Sequence, residues 1–286
     1  MINFKSFNRI IVMLITMFCF SNCSKQEVII DESTLSNLSS IIHQLGYDTT
    51  GISYRGDTIT VEGDIILYKS NLSNTTPRQA SMFPRSYTAV RPIKYYIPPI
   101  ITDEASIVSA MEAISSVERP PEFKVPPLAS EYLSLGFTKV NTPAEADLIF
   151  VAFNEQSKTC GSADAPTVVP NLPIVAIAQL KIGKNIRLNL FHWNTLSSSQ
   201  RKFLVAHELG HSLGLRHTNW RGSEPEYVYV GGLGVGAYSV PGTSNNSNNP
   251  DNNSVFNMNT CGNNWSGFTT ADKKALWFVA GAVTSY

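Results

Sequence analysis

Residues 207–217 read His-Glu-Leu-Gly-His-Ser-Leu-Gly-Leu-Arg-His, and no other stretch restricts the fold as much. Side chains four apart lie on one face of a helix, so His207 and His211 can offer two imidazole nitrogens to one metal ion. Glu208 directly follows the first ligand, near enough to act on a water at the metal without being a ligand itself. Gly214 lets the chain leave the helix through a backbone conformation that is cheap only for glycine, and the turn brings His217 back toward the same ion. Three neutral imidazoles leave one position open, as a catalytic zinc requires; a closed set of four would suit a structural zinc. A bare H-E-x-x-H arises by chance, but here the glycine and the third histidine also fall at the required offsets.

The neighbouring sequence is organised to hold that helix. Ser197 followed by Gln200 forms a capping box at its start, and Val205, Leu209 and Leu213 give it an apolar face away from the histidines, so the ligands face a cleft. Upstream, Ile93, Tyr95 and Ile97 alternate with Lys94 and Tyr96 until Pro98-Pro99 stop the strand. Ile107, Ala110, Met111, Ile114 and Val117 then recur at helical spacing, with Thr102 as the candidate N-cap. Met111 reads as core, not as a ligand. Residues 146–153, 174–178 and 186–190 are short apolar runs of strand length. Residues 221–253 are loop-like. Their Gly231-Gly232-Leu233-Gly234 lacks the lysine and strand-to-helix context of a phosphate loop. Leu276, Val279 and Val283 after Thr269 and Asp272 mark a closing helix. The fold class expected is α+β: a mixed, mostly parallel twisted sheet with a backing helix and an active-site helix, then an irregular C-terminal part ending in a helix.

His207, Glu208, His211, Gly214 and His217 together resemble the signature of the metzincin clan of zinc endopeptidases. The resemblance implies one catalytic zinc held by His207, His211 and His217, Glu208 as general base, a protein or peptide substrate, and a methionine-containing turn beneath the metal. The matching stretch is Ser254-Val255-Phe256-Asn257-Met258, where Phe256 stands at the methionine position and Met258 falls two residues later. Either residue can supply the apolar floor. More widely the chain is similar to the bacterial dual-action HEIGH metallopeptidases, through Arg216-His217-Thr218-Asn219-Trp220, Val240-Pro241-Gly242-Thr243, residues 254–257 and residues 61–65. Substrate would add to an exposed strand at the cleft rim, for which residues 174–178 are the choice.

Composition excludes one class of partner. The 22 basic and 22 acidic residues balance and charged residues are only 15% of the chain, so nothing points to nucleic acid. With 286 residues and 43% hydrophobic content the chain can bury a large core. Residues 1–23 have a basic start at Lys5 and Arg9 and a short apolar run, too short to span a bilayer. Ending at Cys23, they resemble a bacterial lipoprotein signal, which would place the chain in the cell envelope with membrane attachment through lipidated Cys23. An ordinary secretory signal cut nearby would leave it secreted. Residues 24–89 are polar and read as a pro-segment or linker, with exposed basic residues for processing within 70–85, and the catalytic domain as 90–286. Cys160 and Cys261 remain. In an oxidising compartment they are expected to pair, closing a loop of about a hundred residues worth up to about 4.7 kcal/mol.

Val61-Glu62-Gly63-Asp64-Ile65 admits two readings. It resembles the Phe-Glu-Gly-Asp segment of astacin propeptides, which implies Asp64 as a fourth zinc ligand that keeps a zymogen latent. Equally, Gly63-Asp64 can be the turn of a hairpin joining residues 58–61 to 65–67. Two rivals to an endopeptidase also stand: a lipid-anchored binding module that keeps the metal without turnover, and a metal hydrolase of non-peptide substrates. Glu208 weighs against the first, because pure binding needs no general base.

Overall fold

A computed structural model of the chain describes residues 32–44, 47, 49–72, 92–122, 131–133, 135–168, 180–218, 228–230, 233–235, 240, 243, 251–258 and 261–280. The chain divides into Met1–Ser36 and the compact unit Asn37–Tyr286, which holds every described strand and the metal motif. In order the elements are helix α1 (Glu32–Gln44), strands β1 (Ser53–Arg55), β2 (Thr58–Val61) and β3 (Ile65–Tyr68), and the single-turn α2 (Lys69–Leu72). There follow β4 (Ile93–Tyr96), α3 (Glu104–Ser115), β5 (Phe137–Lys139), β6 (Leu148–Phe153), β7 (Gly161–Asp164), β8 (Thr167–Val168) and β9 (Leu180–Lys181). Then come β10 (Asn185–Asn189), the short α4 (Leu190–Trp193), α5 (Ser198–Ser212), β11 (Val228–Val230), β12 (Leu233–Val235) and α6 (Thr270–Ala280). No helix among the described residues is long and apolar enough to cross a membrane.

Eight strands form one sheet in the order β1-β2-β3-β7-β10-β6-β4-β5. Strands β5, β4, β6 and β10 run parallel, which the long connections between them permit. Strand β7 lies antiparallel to β10. In β6 and β10 the alternating residues Leu148, Phe150, Ile186 and Leu188 are fully buried. Helix α3 buries Ile107, Ala110, Met111 and Ile114 and packs against α5, so the expected backing helix supports the metal helix directly. Both partners of the Ser197/Gln200 capping box are made at the start of α5. The mixed, mostly parallel sheet with its two helices is the expected architecture.

Three expectations are changed or fall elsewhere. Helix α3 begins after Asp103, not Thr102, and Asp103 is left-handed (φ 60°) without a side-chain cap bond. Its carboxylate is engaged across the fold instead, accepting from the hydroxyls of Ser106 and Ser198 and from Arg201 Nη1 at 3.0 Å, while the Thr102 carbonyl accepts from Trp193 Nε1. Tertiary contacts have overridden a local cap. Strand β10 ends at Asn189, and Leu190 opens a helical turn. Residues 1–23 with Cys23, residues 174–178 and Val283 lie outside the described residues.

Upstream of residue 90, within the stretch read as pro-segment or linker (24–89), β1, β2 and β3 extend the main sheet, with β3 parallel to β7. A second core of Ile42, Tyr47, Ile59, Val61, Ile65, Leu67, Leu72 and Ala165 fastens this hairpin. Burying each aliphatic side chain of that size contributes about 1.5–3 kcal/mol, so the segment is a docked part of the fold. Cys160 and Cys261 are joined as a disulfide with their Cα atoms 5.7 Å apart, tying the start of β7 to the segment before α6.

Burial alone would raise the Asp103 pKa, but hydrogen bonds from Ser106, Arg201 and Ser198 hold it below its usual 3.8. A depressed carboxyl stabilises the fold above its usual value, and that contribution disappears as pH falls through the lower folded value. Asp103→Asn tolerates the left-handed backbone but loses the charge, so it is expected to cost about 1–2 kcal/mol at pH 7 in urea unfolding. At a pH well below 3.8 the two proteins are expected to converge. An equal difference at both pH values would contradict the assignment.

Candidate metal centre

Helix α5 delivers His207 and His211 one turn apart, both 1% exposed. The helix ends in a tight turn: Gly214 adopts φ 104°, and Leu215 N donates back to Gly210 O at 2.9 Å. The turn returns His217, 2% exposed, to its partners. The three Nε2 atoms lie 3.0, 3.2 and 3.4 Å apart. Corners of a tetrahedron around zinc at its usual imidazole distance are about 3.3 Å apart, so these spacings fit one ion.

The opposite ring nitrogens explain the orientation. His207 Nδ1 lies 2.7 Å from Val255 O and His211 Nδ1 lies 2.7 Å from Leu215 O. With the proton on Nδ1 and donated to these carbonyls, each Nε2 directs a lone pair at the common point. His217 Nδ1 instead faces a carboxylate, Glu62 Oε2, at 3.4 Å. Glu62 also pairs with Arg216, whose guanidinium lies 4.3 Å from the centre of the Tyr47 ring. The third imidazole therefore takes its outer contact from the N-terminal hairpin.

Residues 61–65 are the turn of that hairpin, and the turn faces the histidines. Glu62 (φ 54°), Gly63 (φ 97°) and Asp64 form the turn joining β2 to β3, and the same turn presents Asp64 to the histidines. Its Oδ2 lies 3.3 Å from His207 Nε2, and Oδ1 lies 3.2 Å from His217 Nε2 and 3.6 Å from His211 Nε2. These are again tetrahedral edges, making a four-cornered set of Asp64, His207, His211 and His217.

Electrostatics suit a cation at that point. Burial opposes ionisation of Asp64, but the charge of His217 and the close polar contacts of His207 and His217 hold its carboxyl well below 3.8. Burial, with His207 next, pushes His211 down to about 3, keeping it in the neutral form that binds metal. For His217 burial is outweighed by Asp64 and Glu62, which lift it to about 9. Asp64 Oδ1 and Glu208 Oε2 are both buried without a hydrogen-bond partner among the described residues. Donors of this kind, crowded and unsatisfied, fit a bound zinc.

Glu208 is 1% exposed, and burial followed by the charge of Asp64 raises its pKa well above 4.5. It packs on β7: a Cβ added to Gly161 would lie 2.7 Å from Glu208 Oε1. Beneath the helix, Phe256 is fully buried, and a Cβ at Gly210 would overlap its ring, with Cδ1 at 2.7 Å. Met258 is half-buried. The 254–257 turn is held by Asp272, which accepts from Ser254 Oγ and, at 3.0 Å, from Val255 N. Phe256 O in turn accepts from Thr218 N at 2.9 Å. Glu62, Asp272 and Gly161 were not singled out by the motif for these contacts. For Glu62 a signal existed, since it precedes Asp64 by two residues and an arginine precedes His217.

The model of the dual-action HEIGH metallo-peptidase family matches residues 108–279 of this chain. No curated protein matches it. Among solved structures, two of myroilysin are similar. One, titled structure of myroilysin, has 12% identity, a TM-score of 0.36, and covers 70% of this chain and 98% of that one. The other, titled crystal structure of myroilysin, has 11% identity, a TM-score of 0.35, and covers 71% and 91%.

Gly210→Ala would force a methyl group into the Phe256 ring between the two helical ligands. Overpacking of this kind costs about 1–3 kcal/mol, which thermal unfolding would register. An unchanged midpoint would mean that Phe256 is not seated against Gly210.

Proposed function

The chain belongs to the dual-action HEIGH metallopeptidase family, and on that footing we propose that it is a zinc-dependent endopeptidase made as a latent precursor. The observation that carries the reading is the four-cornered ligand set, in which three corners come from the catalytic motif and the fourth, Asp64, from an upstream hairpin. A purely structural zinc would account for four ligands, but not for a buried Glu208 carboxylate beside them with one oxygen unpartnered. The same residue speaks against a binding module.

His207, His211 and His217 would hold the ion. An ion bound there would supply a water acidified toward about 7 and a Lewis acid for the scissile carbonyl. Glu208 accepts the proton of the attacking water and passes it to the leaving amine. Contacts from Val255 O, Leu215 O and Glu62 keep the imidazoles aimed. An extended substrate takes the place of β3 along β7, which supplies backbone donors such as Ala163 N, now bonded to Asp64 O at 2.9 Å. Residues 24–89 serve as pro-segment, processing falls within 70–85, and lipidated Cys23, or secretion after an ordinary signal, places the enzyme outside the cytoplasm.

In the precursor, Asp64 fills the position where water must be activated, and Ala163 is occupied by the same turn. Asp64→Ala is therefore expected to raise activity of the unprocessed chain on unfolded protein at neutral pH, with chelator abolishing it. Activity equal to that of the unaltered precursor would remove the latency role.

The ligand and base assignments separate in a paired measurement. Glu208→Ala is expected to retain zinc while losing hydrolysis, since all three imidazoles remain. His217→Ala should instead lose zinc on dialysis against a mild chelator. Stoichiometric zinc in the latter, or metal loss in the former, would contradict the roles.

A further inference from the structure

Tyr68, the last residue of β3, reaches a polar pocket built entirely by the catalytic half of the sheet. Its hydroxyl donates to Asp164 (Oδ1 3.1 Å, Oδ2 3.2 Å) and accepts from Arg187 Nη2 at 2.9 Å and Asn185 Nδ2 at 3.4 Å. The pocket is organised without it. Arg187 Nη1 donates to Asp164 Oδ1 at 2.7 Å, and Asn185 binds Asp164 Oδ2 through its backbone N at 3.0 Å and its amide at 2.6 Å. Asp164 is 3% exposed and the Arg187 side chain 22%. Of the three residues, Arg187 also bears on the metal centre, where its charge opposes the rise in the Glu208 pKa.

We propose that Asp164, Asn185 and Arg187 form a specificity subsite that selects a tyrosine side chain in the substrate, a reading that rests on the endopeptidase assignment. The chemistry of the pocket chooses the group. One carboxylate and one guanidinium already neutralise each other, so the vacant demand is for a neutral group that donates to the first and accepts from the second. A hydroxyl does both at once. Lysine would satisfy Asp164 but set its ammonium against Arg187, and glutamate or aspartate would repel Asp164. Phenylalanine fills the same space and leaves both polar partners without their bond. Burial, and then the charge of Asp164, raise the Tyr68 phenol above 10.0, so it keeps the proton it donates.

Location fits a substrate subsite. Along β3, Ile65 and Ile66 pair with Ala163 and Asp164, and Tyr68 lies four residues beyond Asp64. An extended chain covers roughly 13 Å in that span, so the pocket would receive a side chain three or four residues from the scissile bond. Enclosed sites built for a hydroxyl discriminate against its loss by several powers of ten. Because Arg187 is partly exposed to water, a smaller preference of about tenfold is expected.

The test uses the full chain processed within residues 70–85 and assayed at high dilution. A single tyrosine is stepped through constant ten-residue peptides on both sides of the scissile bond, with phenylalanine, lysine and glutamate counterparts at each position. At one position kcat/KM for tyrosine is expected to exceed phenylalanine by about tenfold, with lysine and glutamate no better than phenylalanine. Binding of the same labelled peptides to processed Glu208→Ala protein, by fluorescence anisotropy, should show the same order. Cleavage of all four peptides at equal rates would overturn the subsite and leave the peptidase intact. If no peptide is cleaved but the tyrosine peptide still binds about tenfold tighter, the subsite stands and the peptidase assignment falls. Equal binding without cleavage would sink both.

Discussion

Three imidazole lone pairs directed at one point repel one another unless a cation lies among them, and the rest of this fold is arranged to keep them there. Two rings are aimed by carbonyl acceptors at Nδ1 and the third faces a carboxylate there, and the three groups come from three places. Leu215 O belongs to the turn that Gly214 makes possible, Val255 O to the C-terminal turn, and Glu62 to the N-terminal hairpin. Sheet, helix and both flanking segments therefore meet at the ligand set. The buried Asp272 carboxylate illustrates the dependence: it touches no ligand, but it fixes Val255, whose carbonyl fixes His207. Outer contacts of this sort set the tautomer and the basicity of a metal-binding histidine.

The hairpin turn carries an energetic cost that points the same way. Glu62 is not a glycine, yet it sits at φ 54°, a left-handed conformation that costs roughly 1–2 kcal/mol for such a residue. Gly63 follows at φ 97°, where glycine is unpenalised. Together these two conformations turn both Glu62 and Asp64 toward the histidine cluster. A simple connection between β2 and β3 would not need a glutamate there. Its pairing with Arg216 and its approach to His217 offset the strain.

What the sequence made legible follows from the range of the interactions. The helix of α5, its capping box, the ligand spacing and the apolar face were readable because each rests on residues within one or two turns. Asp64 was readable as a motif but not as a position, since its contact with His207 spans 143 residues of chain. A one-dimensional pattern cannot show that a hairpin turn also places its carboxylate beside three distant histidines. Asp103 at the start of α3 is not legible as its cap because its carboxylate is drawn away by Arg201, 98 residues later. The polar pocket of Asp164 and Arg187 had no linear signature at all: it exists only where β7 and β10 pair antiparallel and place Ser162 opposite Arg187.

Docking of the hairpin also bears on how latency would end. A cut within residues 70–85 breaks the tether but leaves β3 on β7, with Ala163 N bonded to Asp64 O and Ala165 N to Ile66 O, and leaves the second core of Ile59, Val61, Ile65 and Leu67 in place. On the proposed latency, the segment would compete before cleavage as part of the same molecule, at an effective concentration in the millimolar range for a short linker. After cleavage it would compete only at its free concentration. Proteolysis would thus convert a permanent block into a dissociable one, with release depending on dilution, on further cutting of the hairpin, or on substrate displacing β3 from the strand. A short and weakly fastened segment would leave as soon as it was cut. One whose Asp64 faces the three histidines, whose Glu62 pairs with Arg216 and whose Tyr68 sits on Asp164 would need removal in a second step.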